Sequence, residues 1–154
     1  MFKLRPYRPA DFKRLLEIDH ACFAEGIAYP EEAMRYFLGR ASAITLVGTE
    51  KTKTLGFVIA DRFRARRPAR SLGHIITIDV TPGAQRRNLG SQLLVAAEDE
   101  LREAGCGYVT LEVSVDNENA LHFYKRHGYS VLKVLPRYYR DEIDGLLMGK
   151  KLQP

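Results

Sequence analysis

The sequence has 154 residues, 45% of them hydrophobic and 28% charged, which is typical of one globular domain and excludes a disordered tail or a collagen-like repeat. Its 24 lysines and arginines against 19 aspartates and glutamates give a formal net charge of +5, which favours an acidic ligand. Because the chain has no long apolar run and only two cysteines, the widely separated Cys22 and Cys106, we expect a cytoplasmic protein with no membrane segment, disulfide framework or metal site.

The first half of the chain predicts one strand, two helices and three further strands, within a single domain that spans residues 1–154. A short strand near Lys3–Arg5 precedes a helix in which apolar residues recur at helical spacing from Phe12 to Phe23. A second helix begins near Pro30, whose ring suits a first helical turn. Three strands then form a predicted antiparallel meander: Ala43–Gly48, Thr54–Phe63 and Gly73–Val80.

The second half alternates between helices and strands. The strongest helical pattern covers Asn88–Ala104 and ends before Gly105. The elements that follow are a strand at Tyr108–Val115, a helix at Asn117–His127 capped by Asp116 or Asn117, and strands near Ser130–Leu135 and Gly145–Leu152. The order β-α-α-β-β-β-α-β-α-β-β predicts an α/β (α+β) fold with a mixed central sheet.

The segment from Val80 to Ser91 joins a predicted strand to the start of the strongest helix. The first backbone N–H groups of a helix have no partner within it and carry the positive end of its dipole, so they suit an anion. Gly90 lets a ligand approach the backbone, and Arg86 and Arg87 add charge. The pattern fits a pyrophosphate, and it fits equally a basic helix start whose glycine only permits close packing. The segment has neither the Lys-Ser/Thr ending of a P-loop nor the Gly-x-Gly-x-x-Gly pattern of a dinucleotide-binding turn. Neither a nucleoside triphosphate nor NAD is therefore indicated.

Glu112 and Tyr124 form a second candidate group. Strand alternation places Glu112 on the face opposite Leu111 and Val113, in a sheet that we expect to be covered on both sides. A carboxylate there is either a general base whose pKa is raised by partial burial or the partner of an arginine at the end of the sheet. Tyr124 either presents its hydroxyl to a cleft or packs in the core.

These two segments, in this order and separation, resemble those of the GNAT superfamily of acyl-CoA N-acyltransferases, and the likeness covers essentially the whole chain. The phosphate-binding signature of that family is Gln or Arg, two residues, Gly, one residue, then Gly or Ala. Here Gln85, Asn88 and Gly90 occupy its defined positions, and Asn88 replaces a glycine with a residue that tolerates left-handed backbone. The resemblance implies a GNAT-like fold that binds acetyl-CoA, with the pantetheine arm along Ile78, Asp79 and Val80 and the pyrophosphate held by Gln85, Arg86, Arg87, Asn88, Leu89, Gly90 and Ser91.

Within the superfamily, the stretch around Glu112, the spacing from Asn117 to Tyr124 and the late tyrosine pair resemble the ribosomal-protein alanine N-acetyltransferases and related protein N-terminal acetyltransferases. This closer resemblance implies that Glu112 is a general base acting through water, that Tyr124 protonates the departing thiolate and that Asn117 lies near the cofactor. It also implies a peptide-binding end formed by Tyr29, Tyr138 and Tyr139, the last two on the loop between the final strands. The chain departs from that family over residues 140–145, where Arg-Asp-Glu-Ile-Asp-Gly replaces the usual Gly, Glu, Asp and Ala.

The implied reaction is acetyl transfer from acetyl-CoA to a primary amine, with the N-terminal α-amine of a protein or peptide as the expected acceptor. An α-amine has a pKa of about 8 and a lysine side chain one of about 10.4, so the α-amine loses its proton more readily. Two alternatives remain open from the sequence. One is a GNAT enzyme that acetylates a small amine such as a polyamine, an amino acid or an antibiotic. The other is a CoA-binding or RNA-associated module without turnover.

Two other features carry competing interpretations. His74 is a rival for the role of base, since it opens the strand that ends at Val80 and is expected to share a face with Ile76 and Ile78. The arginine-rich segment from Arg62 to Arg70 either contacts RNA or an acidic protein or is a solvated loop. The sequence is compatible with a monomer or a homodimer.

Overall fold

The computed structural model describes residues 1–63 and 71–152. The strands are β1 (Lys3–Pro6), β2 (Ile44–Glu50), β3 (Lys53–Phe63), β4 (Ser71–Val80), β5 (Cys106–Ser114), β6 (Ser130–Tyr139) and β7 (Ile143–Lys151), and the helices are α1 (Phe12–Cys22), α2 (Glu31–Gly39), α3 (Leu89–Glu103) and α4 (Glu118–Arg126). The strands form one seven-stranded sheet in the order β1-β2-β3-β4-β5-β7-β6. This arrangement confirms the predicted mixed fold, the element order and the meander of β2, β3 and β4.

The sheet opens between β4 and β5, which pair in parallel, whereas the other neighbouring strands of the described residues pair antiparallel. Pairing between β4 and β5 runs from Ser71 opposite Cys106 to His74 opposite Thr110 and then stops. Both strands continue beyond that point, β4 as far as Val80. They therefore separate, and the last residues of β4 have an unpaired backbone edge facing a cleft.

Helices cover both faces of the sheet because each has one apolar side. Leu93 and Leu101 of α3 are fully buried against one face, and α1 and α2 form a second core with the other face. A Cβ on Gly73 of β4 would lie only 2.7 Å from Leu101 Cδ1, so the glycine permits close approach of α3. A Cβ on Gly90 would lie 3.9 Å from Val80 Cγ2, which places the first turn of α3 beside the end of β4.

A β-bulge interrupts β4. Strand β3 pairs with Ile75 and with Thr77 but skips Ile76 between them. As a result, Ile76 packs on the core beneath α1 and α2, while Ile78 packs on the core beneath α3. The predicted common face for His74, Ile76 and Ile78 is therefore wrong, because the extra residue reverses the alternation.

The last two strands are longer than predicted. Strand β6 continues beyond Leu135 to Tyr139, and β7 begins at Ile143. A register shift between Leu135 and Tyr139 accommodates Pro136, which has no N–H to donate, and pairing resumes at Tyr139 opposite Ile143. Tyr138 and Tyr139 therefore lie at the end of a strand, and their predicted position on a loop is wrong.

Two expectations about surfaces can be placed on this fold. No helix within residues 1–63 and 71–152 is long and apolar enough to cross a membrane. Arg62 lies near the end of β3, but the rest of the arginine-rich segment, from residue 64 to residue 70, lies outside the described residues.

Candidate active site

The candidate active site is the cleft between the separated ends of β4 and β5, which has a volume of about 500 Å³. The segment between α1 and α2, the start of α4 and the hairpin between β6 and β7 complete its walls. Six residues that the sequence singled out line it: Tyr29, Ile78, Glu112, Asn117, Tyr124 and Tyr139. Elements from the whole length of the chain therefore meet at one opening in the sheet.

A set of free backbone donors lies where α3 begins, beside the end of β4. From Arg86 to Ser91, no backbone N–H group donates a hydrogen bond within the residues that the structure describes. Arg86 and Asn88 adopt left-handed backbone, with φ of 64° and 71°, which turns the chain tightly into the helix. Gly90 has no Cβ to cover these groups. Consecutive free N–H groups at a helix start fit a phosphate-bearing ligand such as acetyl-CoA.

The side chains of this loop have other partners. Gln85 Nε2 donates to the carbonyl oxygen of Val80 at 2.9 Å and so ties the loop to the end of β4. The guanidinium of Arg87 donates to both carboxylate oxygens of Glu50, at 3.1 and 2.5 Å. Leu89 is buried in the core. An anion bound at this loop would therefore contact mainly its backbone.

The end of β4 contacts the last residue of α1, Cys22. Cys22 Sγ donates to the Val80 carbonyl oxygen at 3.3 Å. Burial raises the pKa of the Cys22 thiol to about 12, so the sulfur stays protonated and is a poor nucleophile at neutral pH. The Asp79 side chain is buried beneath α1, beside Asp19, and does not line the cleft.

Glu112 of β5 and His74 of β4 form a hydrogen-bonded pair where the pairing of the two strands ends. His74 Nε2 lies 2.8 Å from Glu112 Oε1 and 2.9 Å from Oε2. Both side chains are about one-fifth exposed, and Glu112 lines the cleft, where water reaches its carboxylate. The two candidates for the base are thus one pair, in which the carboxylate accepts and the imidazole donates.

Tyr124 and Asn117 lie on the α4 side of the cleft. Asn117 caps α4, because its side-chain oxygen accepts from Ala120 N at 3.1 Å. Of the two predicted caps, Asp116 and Asn117, the structure therefore has the second. Burial raises the pKa of the Tyr124 phenol, which keeps this hydroxyl protonated. The Tyr124 ring packs edge-on against Phe123, with centroids 5.3 Å apart.

The three tyrosines of the predicted peptide-binding end occupy neighbouring positions. The Tyr29 hydroxyl donates to the Ile76 carbonyl oxygen at 3.3 Å, at the bulge of β4. Tyr138 and Tyr139 pack edge-on with centroids 4.9 Å apart, and Tyr139 lines the cleft, whereas Tyr138 is half-exposed beside it. Burial raises the pKa of all three phenols, and the negative charge of Glu112 adds to the effect.

Sequence reasoning missed Arg140, which joins the two loops at this end. Arg140 Nη1 donates to the Glu25 carbonyl oxygen at 3.4 Å, and a Cβ on Gly26 would lie only 2.6 Å from Arg140 Cδ. The segment between α1 and α2 therefore contacts the β6–β7 hairpin over the cleft. The departure from the family pattern at position 140 was the available signal, but spacing alone does not tell which loop an arginine will contact.

Comparisons with known proteins agree with this geometry. The family model described as the Acetyltransferase (GNAT) family matches residues 12–129. The chain is 30% identical to the N-alpha-acetyltransferase of Sulfurisphaera tokodaii, over 90% of each protein. It is 29% identical to the mycothiol acetyltransferase of Rhodococcus erythropolis, over 89% of this chain but only 49% of that protein. The fold matches the ribosomal-protein-S18-alanine N-acetyltransferase of Escherichia coli with a TM-score of 0.86, at 22% identity over 100% of this chain and 96% of that one.

Family membership follows from the match over most of the chain and from the relative that aligns along nearly its full length. The free N–H groups at the start of α3 and the open edge of β4 are consistent with the cofactor of this family. The chain belongs to the GNAT family and is an acetyl-CoA-dependent N-acetyltransferase.

Proposed function

We propose that this enzyme acetylates the N-terminal α-amine of a protein or peptide. The observation that carries the proposal is the contact between Arg140 and the Glu25–Gly26 segment over the acceptor end of the cleft. A bridged opening suits a chain terminus, which enters end-on, better than a lysine in the middle of a polypeptide. The relative named as an N-alpha-acetyltransferase, which aligns over 90% of both chains, supports the same acceptor.

The protonation of the acceptor gives a second reason. At pH 7 about a tenth of α-amino groups are already neutral, against about one lysine side chain in 2,500. Only modest assistance from a general base is therefore needed to remove the proton from an acceptor α-amine. A carboxylate that reaches water in the cleft, as Glu112 does, is sufficient for that task.

The proposed mechanism is direct attack of the amine on the thioester of acetyl-CoA. The nitrogen–carbon bond forms, and the carbon–sulfur bond breaks. Glu112 receives the amine proton through water, and Tyr124 gives a proton to the departing thiolate. Backbone N–H groups near Val80, on the unpaired edge of β4, polarise the acetyl carbonyl. The raised pKa of Cys22 agrees with a route that has no cysteine-bound acetyl intermediate.

We propose binding roles for the remaining residues in the same arrangement. The pantetheine arm lies along the backbone of Ile78, Asp79 and Val80 and near Asn117. The acceptor peptide lies between Tyr29 and the pair Tyr138 and Tyr139. The pyrophosphate binds the loop residues Gln85, Arg86, Arg87, Asn88, Leu89, Gly90 and Ser91, mainly through their backbone.

The test is mass spectrometry after incubation with acetyl-CoA and a pool of short peptides. Each peptide contains an internal lysine, and half have blocked N-termini. We expect an acetyl group only on free N-termini. Acetylation of the blocked peptides would overturn the proposal in favour of lysine side chains.

The mycothiol acetyltransferase relative favours a second candidate, a small-molecule amine. If no peptide in the pool is acetylated, release of free thiol in the presence of polyamines, amino acids and amino sugars distinguishes this candidate. Thiol release that requires one of these amines would establish it.

A further inference from the structure

His127, the residue that follows α4, is joined to the first turn of α3 by a hydrogen bond between two side chains. His127 Nε2 lies 2.9 Å from Ser91 Oγ, and this contact is partly buried. The imidazole also packs on Phe123, with ring centroids 4.7 Å apart, and a Cβ on Gly90 would lie 3.5 Å from Phe123 Cε1. His127 thus stands directly behind the loop to which we assign the pyrophosphate.

The chemistry of Ser91 makes this contact consequential. A serine hydroxyl has one proton to donate and two lone pairs to accept. If His127 Nε2 is unprotonated, it accepts that proton, and the hydroxyl has none to offer a phosphate oxygen. If Nε2 carries a hydrogen, His127 donates to Ser91 Oγ, and the hydroxyl is free to donate to the ligand.

We propose that His127 is a positioning residue for the cofactor, which donates from Nε2 to Ser91 and so directs the Ser91 hydroxyl towards the pyrophosphate of acetyl-CoA. This inference rests on the proposed binding of the pyrophosphate at the start of α3. It adds His127, which lies outside α3, to the residues that shape the proposed pyrophosphate site. His127 acts through the hydroxyl of Ser91 and not through the backbone.

The surroundings of His127 determine how the contact depends on pH. Burial is the main influence on His127 and lowers its pKa; the charge of Glu98 acts in the opposite direction, and the smaller effects of Lys150 and Arg126 lower the pKa further. The Glu98 carboxylate also accepts from Lys150 Nζ at 2.9 Å and from the Tyr129 hydroxyl at 2.7 Å. The imidazole is therefore mostly neutral at pH 7 in the free enzyme.

A pyrophosphate next to Ser91 favours the states of His127 in which Nε2 carries a hydrogen. These are the neutral Nε2–H tautomer and the positively charged imidazolium. Binding of acetyl-CoA therefore raises the pKa of His127, and the complex takes up protons. The affinity for acetyl-CoA accordingly increases as the pH falls from 8 to 6. A pKa that rises by one unit on binding changes the affinity by about tenfold at most, and the change reaches that limit only below both pKa values.

The experiment measures the dissociation constants of acetyl-CoA and of acetyl-pantetheine, which lacks the phosphates, by titration calorimetry at pH 6 and pH 8. We expect His127→Leu to weaken binding of acetyl-CoA about 3- to 10-fold, as loss of one hydrogen bond does, and to leave acetyl-pantetheine unchanged. His127→Gln restores an N–H at this position and should restore the affinity at pH 8, but without the wild-type dependence on pH. His122→Leu, at an exposed histidine of α4, is the matched control and should behave as wild type.

A double variant separates this role from a structural one. If His127 acts through Ser91, the combination of His127→Leu with Ser91→Ala should weaken acetyl-CoA binding no further than Ser91→Ala alone. Equal losses for both donors in His127→Leu, additive losses in the double variant, or wild-type affinity and pH dependence in His127→Leu would each overturn the inference. Failure of the wild-type protein to bind acetyl-CoA more tightly than acetyl-pantetheine would instead overturn the assignment of the pyrophosphate to the start of α3.

Discussion

The Glu112 carboxylate lies in the cleft with both oxygens within 2.9 Å of His74 Nε2. Glu112→Gln preserves the size of this side chain but removes its capacity to accept the amine proton. We expect kcat/KM at pH 7 to fall about 10²- to 10⁴-fold, while the dissociation constant of acetyl-CoA stays unchanged. Steady-state rates and equilibrium binding measure the two quantities separately.

The control for this variant is Glu103→Gln, at the exposed end of α3, which should keep the wild-type rate. An unchanged rate in Glu112→Gln would show that another group is the base. In that case His74, on the other side of the same hydrogen bond, would be the first residue to test.

Asp19 and Asp79 form a second pair of ionisable residues, behind the cleft. Both side chains are almost completely buried, and Asp19 Oδ1 and Asp79 Oδ2 have no hydrogen-bond partner within the described part of the chain. Burial, and then the hydrogen bond and charge of Asp19, raise the pKa of Asp79 well above its usual value. A single shared proton satisfies both carboxyl groups. Asp19 also accepts from Tyr29 N at 2.7 Å, so the pair supports the proposed acceptor end of the site.

This pair predicts how stability depends on pH. Because the pKa of Asp79 is higher in the folded than in the unfolded protein, the folded state binds more protons above about pH 4, and stability falls as the pH rises. Asp79→Asn stays neutral and donates to Asp19 without titrating. We therefore expect a smaller fall in Tm between pH 5 and pH 8 in Asp79→Asn than in wild type, measured by circular dichroism. An equal fall in Tm for wild type and Asp79→Asn would contradict the raised pKa of Asp79. Asp99→Asn, at an exposed position, serves as the control.

At the scale of elements, the loop between α1 and α2 depends on Gly26. Its φ is 88°, a conformation that other residues adopt only with strain, and an added Cβ would lie 2.6 Å from Arg140 Cδ. Gly26→Ala should therefore displace the contact between the loop and the β6–β7 hairpin. We expect KM for a peptide acceptor to rise several-fold and the affinity for acetyl-CoA to stay the same.

Gly39→Ala is the matched control for that loop, because no atom lies within 4 Å of its added Cβ and its φ is not positive. A wild-type KM for the peptide in Gly26→Ala would mean that the bridge over the cleft does not shape the acceptor site. An equal loss of acetyl-CoA affinity would mean that the change disturbs the whole cleft.

The elements themselves were largely predictable from local patterns. The periodicity that predicted a helix over Asn88–Ala104 agrees with α3 at Leu89–Glu103, since helical spacing and a terminal glycine are local signals. The bulge at Ile76 and the extension of β6 to Tyr139 were not predictable, because each is fixed by the register with a neighbouring strand. The pairing of His74 with Glu112 also depends on a long-range register. From the sequence alone the two residues were therefore alternative candidates for the base, although they are hydrogen-bonded to each other.

At the scale of the whole molecule, the site depends on the opening of the sheet between β4 and β5. The start of α3, the unpaired edge of β4 and the start of α4 come from separate parts of the chain and meet only in the folded state. A ligand that contacts all three binds the folded state and not the unfolded chain. Binding must therefore stabilise the entire fold.

Acetyl-CoA at 100 times its dissociation constant should stabilise the protein by about 2.7 kcal/mol. For a chain of this length, that corresponds to a rise in Tm of about 5–11 °C, measured by a thermal unfolding scan. Glu112→Gln should show the same rise, because the proposed base acts on the acceptor amine and not on the cofactor. Acetyl-pantetheine at the same concentration should give a smaller rise, since it cannot use the free N–H groups from Arg86 to Ser91. Equal shifts for the two donors would mean that the start of α3 does not hold the phosphates, while a shift lost only in Glu112→Gln would place that carboxylate in cofactor binding.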